Sequence, residues 1–355
     1  MVELAGIGPG PFAATILADL GADVIRVDRP GPASPLGGGP EDLLTRSRNR
    51  IEVDLKSSAG VQTVLELAES ADILIEGMRP GVTERLGVGP EDCWLRNPRL
   101  VYGRMTGWGQ SGPLAQSAGH DVTYLATSGV LHGLGQTERP QFPINLLGDF
   151  GGGSTFLVIG VLAALASVGS TGRGQVVDAA ILDGTAYLDL MTAGWRAAGR
   201  HTETRGENLL DGGAPYYRLY RTSDRRWLAV GALEPGFFAS LVRLLNLSDR
   251  MPPQADISRY PEMAALFEDT FATRTLAEWA ALFEGTDACV APVLTPSEAV
   301  AHPHLAARST YVDVDGVVQP APAPRFGGTP FARPRPGSTI AVSEALARWT
   351  RTASR

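Results

Sequence analysis

Short apolar runs alternate with amphipathic stretches along the first half of the chain. Val2–Ala5 and Asp23–Asp28 are predicted strands, and Phe12–Leu20 is predicted as a helix that Gly21 closes. A strand, a helix and a second strand in this order indicate a βαβ unit, the start of a parallel sheet. The pattern continues with further predicted strands at Ile51–Leu55, Ile73–Glu76 and Leu100–Met105, predicted helices at Val61–Ser70 and Thr155–Val168, and a strand-to-helix stretch from Gln175 to Met191.

The pattern changes after residue 190. Arg196–Asp211 is polar and is predicted to be a linker, and Tyr216–Tyr220 and Trp227–Val230 alternate around turn residues, which predicts an antiparallel hairpin. Residues 212–303 are therefore predicted as a smaller α+β domain. Its other predicted elements, and those of the tail, are helices at Phe237–Leu245, Met263–Ala272 and Leu276–Phe283, a strand at Val290–Leu294, extended chain at Pro320–Pro336 and a last helix at Val342–Thr350.

Composition narrows the class of protein. The chain has 355 residues, of which 44% are apolar and 19% charged, as in an ordinary globular enzyme. The net charge of −7 argues against a nucleic-acid partner, and two cysteines allow neither a disulfide framework nor a cysteine-rich metal site. No secretory signal follows Met1, so we expect a cytoplasmic protein, although the abrupt start leaves open an upstream segment. Phe156–Ala166 is shorter than the ~18 residues of a membrane span, so no membrane partner is expected.

The glycine-rich turn at residues 6–11 invites a dinucleotide-binding interpretation. Glycines let backbone approach a pyrophosphate at a helix start, and Asp28 follows about 20 residues later, where a ribose-binding acid belongs. The spacing is Gly-x-Gly-x-Gly-Pro rather than Gly-x-Gly-x-x-Gly, however. A tight turn explains these glycines without any ligand, so a nicotinamide site is the weaker alternative.

Two short runs carry the strongest chemical signal. His120 stands in Gly-His-Asp, and Asp149 opens Gly-Asp-Phe-Gly-Gly-Gly-Ser before the predicted Thr155–Val168 helix. A structural histidine and a helix-capping aspartate are the ordinary explanations. Three consecutive glycines, however, suggest that something packs against bare backbone, and their amides could stabilise an oxyanion. A histidine and a carboxylate on opposite faces of a bound acid derivative could move a proton from one face to the other, which is racemisation.

Basic side chains follow the predicted strands. Arg29, Lys56, Arg79 and Arg85 lie at or just beyond strand ends, and in a parallel sheet these ends line the ligand crevice. Several cations there would suit a phosphorylated ligand. For any one of them alone, a solvated basic rim is the simpler explanation.

Together these runs carry a family resemblance. Beyond the turn at residues 6–11 and the runs around His120 and Asp149, the segments that carry it are residues 20–30, Asp54–Lys56, Arg79–Val82, Arg104–Gln110, Gly174–Asp178 and Gly212–Tyr217. With them, nearly the whole chain resembles the class III CoA-transferase family (CaiB/BaiF type), and within it the bacterial α-methylacyl-CoA racemases.

The resemblance implies an α/β fold. A Rossmann-like parallel sheet would form a large CoA-binding domain, residues 1–190, that residues 322–355 complete. Linkers at 191–211 and 304–321 would join it to the small domain. The family also implies an interlocked homodimer, with the active site between the large domain of one subunit and the small domain of the other. Glu234 would then enter the site from the second subunit.

The resemblance further implies reversible inversion at C2 of 2-methylacyl-CoA thioesters, an activity of lipid and fatty acid metabolism. His120 would take the α-proton from the S substrate and Asp149 from the R substrate, while Glu234 would hydrogen-bond the His120 ring. A backbone amide near Asp149, at the start of the Ser154–Val168 helix, would bind the thioester oxygen. Asn145 and Tyr217 would support the reacting centre.

CoA is part of the substrate, and no metal or redox cofactor is expected. The implied CoA-binding residues are Arg29, Val53, Asp54, Leu55, Lys56, Gly77, Met78, Arg79, Arg85, Gly119, Asp121, Val122, Thr123 and Tyr124. The loop between Arg29 and Ile51 looks longer than in the racemases, which would alter the adenine end of the CoA site.

Two alternatives stay open. A class III CoA-transferase would use Asp149 as a nucleophile and form an aspartyl-CoA anhydride, usually in an Asp-x-x-Thr-Gly setting. The run here is Asp-Phe-Gly-Gly without threonine, and His120 is added, which favours the racemase. A non-catalytic or NAD-binding Rossmann protein would turn over no CoA thioester. The sequence does not indicate the acyl chain.

Overall fold

The computed structural model describes residues 1–31 and 42–350. Internal contacts divide the chain into two compact units: the first comprises Met1–Val130, Phe142–Leu190 and Ser309–Arg355, and the second comprises Leu131–Gln141 and Met191–Arg308. Residues 131–141, which the sequence analysis placed in the large domain, and the stretch named as a linker at 191–211 thus group with the second unit. The expected longer loop falls mostly on residues 32–41, outside the described part of the chain.

The elements of both units are numbered in chain order. The strands are β1 (Val2–Leu4), β2 (Ile25–Asp28), β3 (Asn49–Glu52), β4 (Ile73–Glu76), β5 (Val101–Thr106), β6 (Gly135–Gln136), β7 (Arg139–Pro140), β8 (Val176–Ala180), β9 (Tyr217–Arg221), β10 (Trp227–Gly231), β11 (Val290–Pro292), β12 (Tyr311–Val314), β13 (Val317–Pro320) and β14 (Ser338–Thr339). The helices are α1 (Pro9–Asp19), α2 (Ser58–Glu69), α3 (Val82–Leu86), α4 (Pro90–Trp94), α5 (Asp121–Thr127), α6 (Thr155–Thr171), α7 (Ile181–Leu188), α8 (Leu190–Ala197), α9 (Pro235–Leu244), α10 (Tyr260–Phe271), α11 (Leu276–Phe283), α12 (Pro296–Ala301), α13 (Pro303–Ala307) and α14 (Val342–Thr350). A π-helical segment, Leu146–Ser154, leads directly into α6.

The first unit is built on a seven-stranded sheet in the order β14-β3-β2-β1-β4-β5-β8, in which all neighbours pair in parallel. Successive side chains of a strand pack into two different cores, one on each face of the sheet. In β4, Ile73 and Ile75 face α1 and α6, whereas Leu74 faces α2 and α14. The predicted α/β fold with a parallel sheet is confirmed. Strand β14 comes from the C-terminal part of the chain, so both parts of the chain contribute strands to one sheet.

Several predicted boundaries differ from the observed ones. Helix α1 begins at Pro9, three residues before the predicted start, because proline fits the first turn of a helix, where no amide donor is needed. The strand predicted at Ile51–Leu55 is Asn49–Glu52, and the hairpin β12–β13 was not predicted.

The helix predicted to start at Thr155 is part of a longer one. The π-helical segment and α6 together form a run of 26 residues, Leu146–Thr171, that is long and apolar enough to cross a membrane by length and composition alone. The expectation that this segment is too short for a span was therefore wrong. A core helix passes the same test, and α6 packs against β5 and β8 with Leu157 and Val161 fully buried.

The second unit has its own core. Strands β9, β10 and β11 form an antiparallel sheet, which confirms the predicted hairpin. Aromatic side chains of α10 and α11 fill the space beneath it, among them Phe267, Phe271 and Trp279, and Tyr220 of β9 packs edge-on against Phe267.

Candidate active site

A cleft of about 750 Å³ opens in the first unit at the carboxyl ends of the central strands. The order of the strands reverses between β1 and β4, and ligands of open α/β sheets bind at this reversal point. The lining side chains and backbone come from the ends of β1, β4 and β5 and from the segments that follow them; those used below are Gly8, Glu76, Gly77, Met78, Arg79, Trp108, Gly119, His120, Tyr124, Asn145 and Asp149.

The glycine-rich turn lies next to the carboxylate of Asp149. Gly8 has φ +66°, a conformation that glycine adopts without strain, and a Cβ placed on it would lie 3.5 Å from Oδ2 of Asp149. A pyrophosphate in this turn would meet a charge of its own sign. The turn is therefore a poor dinucleotide site, and it is the positive φ at Gly8 that favours glycine there.

His120 stands immediately before α5 in an extended conformation. Its backbone amide donates to Oγ1 of Thr123 at 3.0 Å, and that hydroxyl donates to the His120 carbonyl at 2.7 Å. The imidazole is exposed at the cleft, and within the described residues it makes no hydrogen bond. The backbone is thus held while the ring stays available. The hydroxyl of Thr123 has this capping role and does not line the cleft.

Asp149 projects into the same cleft from the π-helical segment. Burial, and after it the negative charge of Asp121, raise the pKa of this half-buried carboxyl to about 6 against the opposing effects of Asn145 and His120. A carboxyl with a pKa near 6 exchanges its proton readily close to neutral pH. Asn145 lines the cleft beside it, as predicted for a supporting polar group.

The three glycines after Asp149 serve helix packing. A Cβ on Gly152 would lie 2.5 Å from Oγ1 of Thr185, and one on Gly153 would lie 2.8 Å from the side chain of Ile181. Both contacts belong to α7, which crosses the π-helical segment at close range. What packs against the bare backbone is thus another helix, not a ligand.

Asp121 does not face the cleft. Its side chain is buried, and its Oδ1 accepts the amide hydrogen of Asp149 at 2.7 Å. That amide is therefore not available to a thioester oxygen, whereas the predicted oxyanion donor, a backbone amide near Asp149 at the start of the Ser154–Val168 helix, stays a prediction. Two amides at the start of α5, those of Asp121 and Val122, have no acceptor within the described residues, because the first amides of a helix lack intrahelical partners.

The predicted CoA-binding residues divide into two groups. Gly77, Met78 and Arg79 line the cleft, as do Gly119 and Tyr124. The others do not line it; of these, Arg29, Asp54, Lys56 and Arg85 are exposed, Leu55 is half-buried and Val53 is buried in the core.

Tyr124 forms part of the cleft wall and carries no charge at neutral pH. Its ring packs edge-on against Trp108, with centroids 4.8 Å apart, and a side chain on Gly119 would overlap it. Burial, together with the charge of Asp149, raises the pKa of Tyr124 to about 12, so the phenol stays protonated at neutral pH.

Two predicted site residues belong to the second unit. Glu234 precedes α9, is exposed, and makes no side-chain cap to that helix. Tyr217 is half-buried at the start of β9. Their proposed contacts with the cleft stay a prediction.

The sequence analysis missed Glu76. This glutamate ends β4, is only 3% exposed, lines the cleft, and accepts the amide of Met78 at 2.6 Å. Burial raises its pKa to about 7, against the lowering effects of that amide and of Arg104, whose Nε lies 3.8 Å away. The signal in the sequence was an acidic residue at the last position of an otherwise apolar strand.

Comparisons with known proteins place the chain in one family. The model of the family described as CoA-transferase family III matches residues 1–338. α-Methylacyl-CoA racemases of Mus musculus and Homo sapiens are each 45% identical to the chain, over 93% of it and 86% of each relative. A crystal structure of a CaiB/BaiF family protein from Brucella suis superposes with a TM-score of 0.82 at 25% identity, covering 99% of this chain and 97% of that one.

Proposed function

Because the chain belongs to CoA-transferase family III, we propose that it is a racemase that interconverts the (2R) and (2S) forms of 2-methylacyl-CoA thioesters. One observation carries this proposal. An unpaired imidazole, His120, and a half-buried carboxyl with a raised pKa, Asp149, line a single cleft at the reversal point of the sheet. The racemase relatives support the same substrate class.

The reaction removes a proton from one face of C2 and adds a different proton to the opposite face. With the S substrate bound, neutral His120 removes the α-proton and becomes imidazolium, and the C–H electron pair passes into the thioester as an enolate. Protonated Asp149 then delivers its proton to the opposite face and becomes a carboxylate. The reverse reaction starts from imidazolium and carboxylate. A pKa of about 6 at Asp149 keeps both protonation states accessible near neutral pH.

The enolate oxygen needs hydrogen-bond donors. We assign this role to the amides of Asp121 and Val122, which adjoin His120 at the start of α5. Preorganised amides in a cleft stabilise developing negative charge strongly because they need no reorganisation during the reaction. This chemistry needs no metal or redox cofactor.

The CoA moiety is proposed to extend from the cleft past Gly77–Arg79. Arg29 and Lys56 follow β2 and β3 on the same edge of the sheet, and Arg85 lies on α3. The exposed guanidinium groups of Arg29 and Arg85 and the exposed ammonium group of Lys56 suit the phosphates of CoA. We retain as further proposals a role of Glu234 in orienting His120, an interlocked homodimer, and a cytoplasmic location.

Incubation in deuterium oxide tests the function. Purified protein is mixed with a single enantiomer of a 2-methylacyl-CoA, and deuterium at C2 and enantiomeric purity are followed by NMR and chiral analysis. We expect deuterium incorporation together with loss of enantiomeric purity. His120→Ala and Asp149→Ala should abolish inversion, whereas His304→Ala and Asp249→Ala, which remove exposed side chains of the second unit, should not.

Other outcomes would contradict the proposal. A near wild-type rate in either cleft variant would exclude the two-base assignment. Binding of the thioester without exchange at C2 would instead favour the transferase, and a covalent adduct at Asp149 would establish it.

A further inference from the structure

We propose that Asp121 is a positioning residue: its buried carboxylate fixes the backbone that carries Asp149 and does not contact the substrate. The inference rests on the proposed function, since it concerns how one of the two proton-transfer groups is held. It concerns the Asp121 side chain, whereas the implied contribution of this segment to CoA binding is made by the backbone around Gly119 to Tyr124.

The first observation is a hydrogen bond between two segments. Asp121 is 7% exposed, and its Oδ1 accepts the amide of Asp149 at 2.7 Å across 28 residues of chain. The preceding amide, that of Gly148, also interacts with this carboxylate. The carboxylate of α5 thus holds two successive amides of the π-helical segment.

These amides need an outside acceptor. The first π-helical hydrogen bond runs from the amide of Phe150 to the carbonyl of Asn145, so the amides before Phe150 precede the internal ladder. Helix starts are usually capped by a side chain next to them in sequence. Here the Asn145 side chain makes no such cap, and Asp121 supplies the acceptor from another helix.

Gly148 shows how close this contact is. A Cβ on Gly148 would overlap Oδ1 of Asp121, so only glycine lets the carboxylate reach the backbone. The other carboxylate oxygen, Oδ2, is also buried and has no partner within the described residues. A buried carboxylate with one unpaired oxygen is costly, which argues that its place serves more than local stability.

The charge of Asp121 acts on the same target. Among the charged groups whose fields reach Asp149, Asp121 opposes its ionisation and His120 favours it, and Tyr124 of the same helix stays neutral. Within the described residues, the charged side chains that shift the pKa of Asp149 are Asp121 and His120, and neither belongs to the neighbouring helices α1 and α7. Asp121 therefore sets both the position of Asp149 and part of its proton affinity.

Two substitutions separate these effects. Asp121→Asn keeps an acceptor for the Asp149 amide and removes the charge, so kcat should fall less than in Asp121→Ala while the Asp149 pKa falls. Asp121→Ala removes both, and kcat should drop on the order of 10²-fold, the loss that a misplacement of about 1 Å brings, with KM for the thioester little changed. Asp178→Ala is the matched control, because Asp178 accepts a backbone amide, that of Gln110, outside the cleft.

Two readouts test the inference. The first is the rate of inversion as a function of pH for wild type and the three variants. The second is NMR titration of ¹³C-labelled aspartate carboxyls, in which Asp149→Asn identifies the Asp149 signal; this measurement needs no turnover. We expect partial rescue of kcat by asparagine over alanine, and a lower Asp149 pKa in Asp121→Asn.

Equal kcat and KM in Asp121→Ala and wild type would overturn the inference, as would an Asp149 pKa that Asp121→Asn leaves unchanged. A large rise in KM with kcat unchanged would assign Asp121 to substrate binding instead. If the wild-type protein exchanges no α-proton, the proposed function fails, and the NMR titration still decides whether Asp121 acts on Asp149.

Discussion

Glu76→Gln is expected to remove a pH-dependent loss of stability. Glu76 is buried at the end of β4, and burial raises its pKa from 4.5 to about 7. Glutamine keeps an oxygen that can accept the Met78 amide, now 2.6 Å from Glu76. Arg104 retains its hydrogen bonds to Glu84 and Gln110. The substitution therefore changes mainly the cost of ionising a buried acid.

The sign follows from linkage. Below pH 4.5 the carboxyl of Glu76 is protonated in both folded and unfolded chains. Between pH 4.5 and about 7 the unfolded chain releases the proton and the folded chain keeps it, so the free energy of unfolding falls as pH rises. At about 1.4 kcal/mol for each unit of pKa, the wild type loses about 3 kcal/mol across this window. Glu76→Gln should not lose it.

Denaturant unfolding at pH 4.5, 6 and 8 measures the effect. The stability of Glu76→Gln relative to wild type should increase with pH and level off above pH 7. Glu84→Gln is the matched control on the same arginine. Burial acts against it, but the hydrogen bond from Arg104 lowers the pKa of Glu84, so this variant should lose stability relative to wild type as pH rises through the acid range. A pH-independent difference for Glu76→Gln would refute the reasoning.

Two further predictions concern packing and buried charge. Gly152→Ala would place a Cβ 2.6 Å from the Thr185 amide nitrogen and should cost about 1–3 kcal/mol, whereas Gly169→Ala in α6 meets open space and should be neutral or stabilise by up to about 1 kcal/mol; thermal melts of both variants measure this. Arg48→Met should cost about 1–3 kcal/mol in denaturant unfolding, because it removes one of the two buried arginines that pair with Glu3 while Arg26 keeps the other Glu3 oxygen paired, and a loss below 1 kcal/mol would show that the Arg48 pair is dispensable.

The central strands could be predicted because their signal is local. Runs such as Ile73–Glu76 are buried on both faces, so they are continuously apolar and end in a polar residue. The edge strand β14 gave no such signal. It has two residues, and its pairing with β3 joins positions about 290 residues apart, Ser338 and Asn49. Neither apolarity nor length marks such a strand in the sequence.

The start of the long helix was missed for a different reason. Glycine disfavours helix, so the predicted helix began only at Thr155, after Gly151–Gly153. In the folded chain these residues are π-helical because α7 crosses them closely: a Cβ on Gly184 of α7 would overlap the Gly152 carbonyl. A contact between two helices thus overrides the local preference, and the partner glycine lies 32 residues away.

In the candidate site, too, features with a local sequence signal could be predicted and those that depend on distant contacts could not. His120 and Asp149 were predicted because their residue types and glycine-rich surroundings are visible locally. The burial of Glu76 and the hydrogen bond between Asp121 and the Asp149 amide were not, because each depends on distant segments of the chain. The Asp149 amide is a further example: it looks free in the sequence, and only the fold shows the acceptor that takes it.

The start of α5 explains why His120 is exposed and the adjacent Asp121 is buried. His120 is the last extended residue and faces solvent at the cleft, whereas Asp121, the first helical residue, turns inward beneath Asp149. One helix start therefore presents the imidazole and also holds the backbone of the opposing carboxyl. Because both groups contact this short segment, the start of α5 contributes to their separation, together with the packing of the π-helical segment on α1 and α7. The proposed two-base reaction depends on that separation, since the two groups must address opposite faces of one carbon.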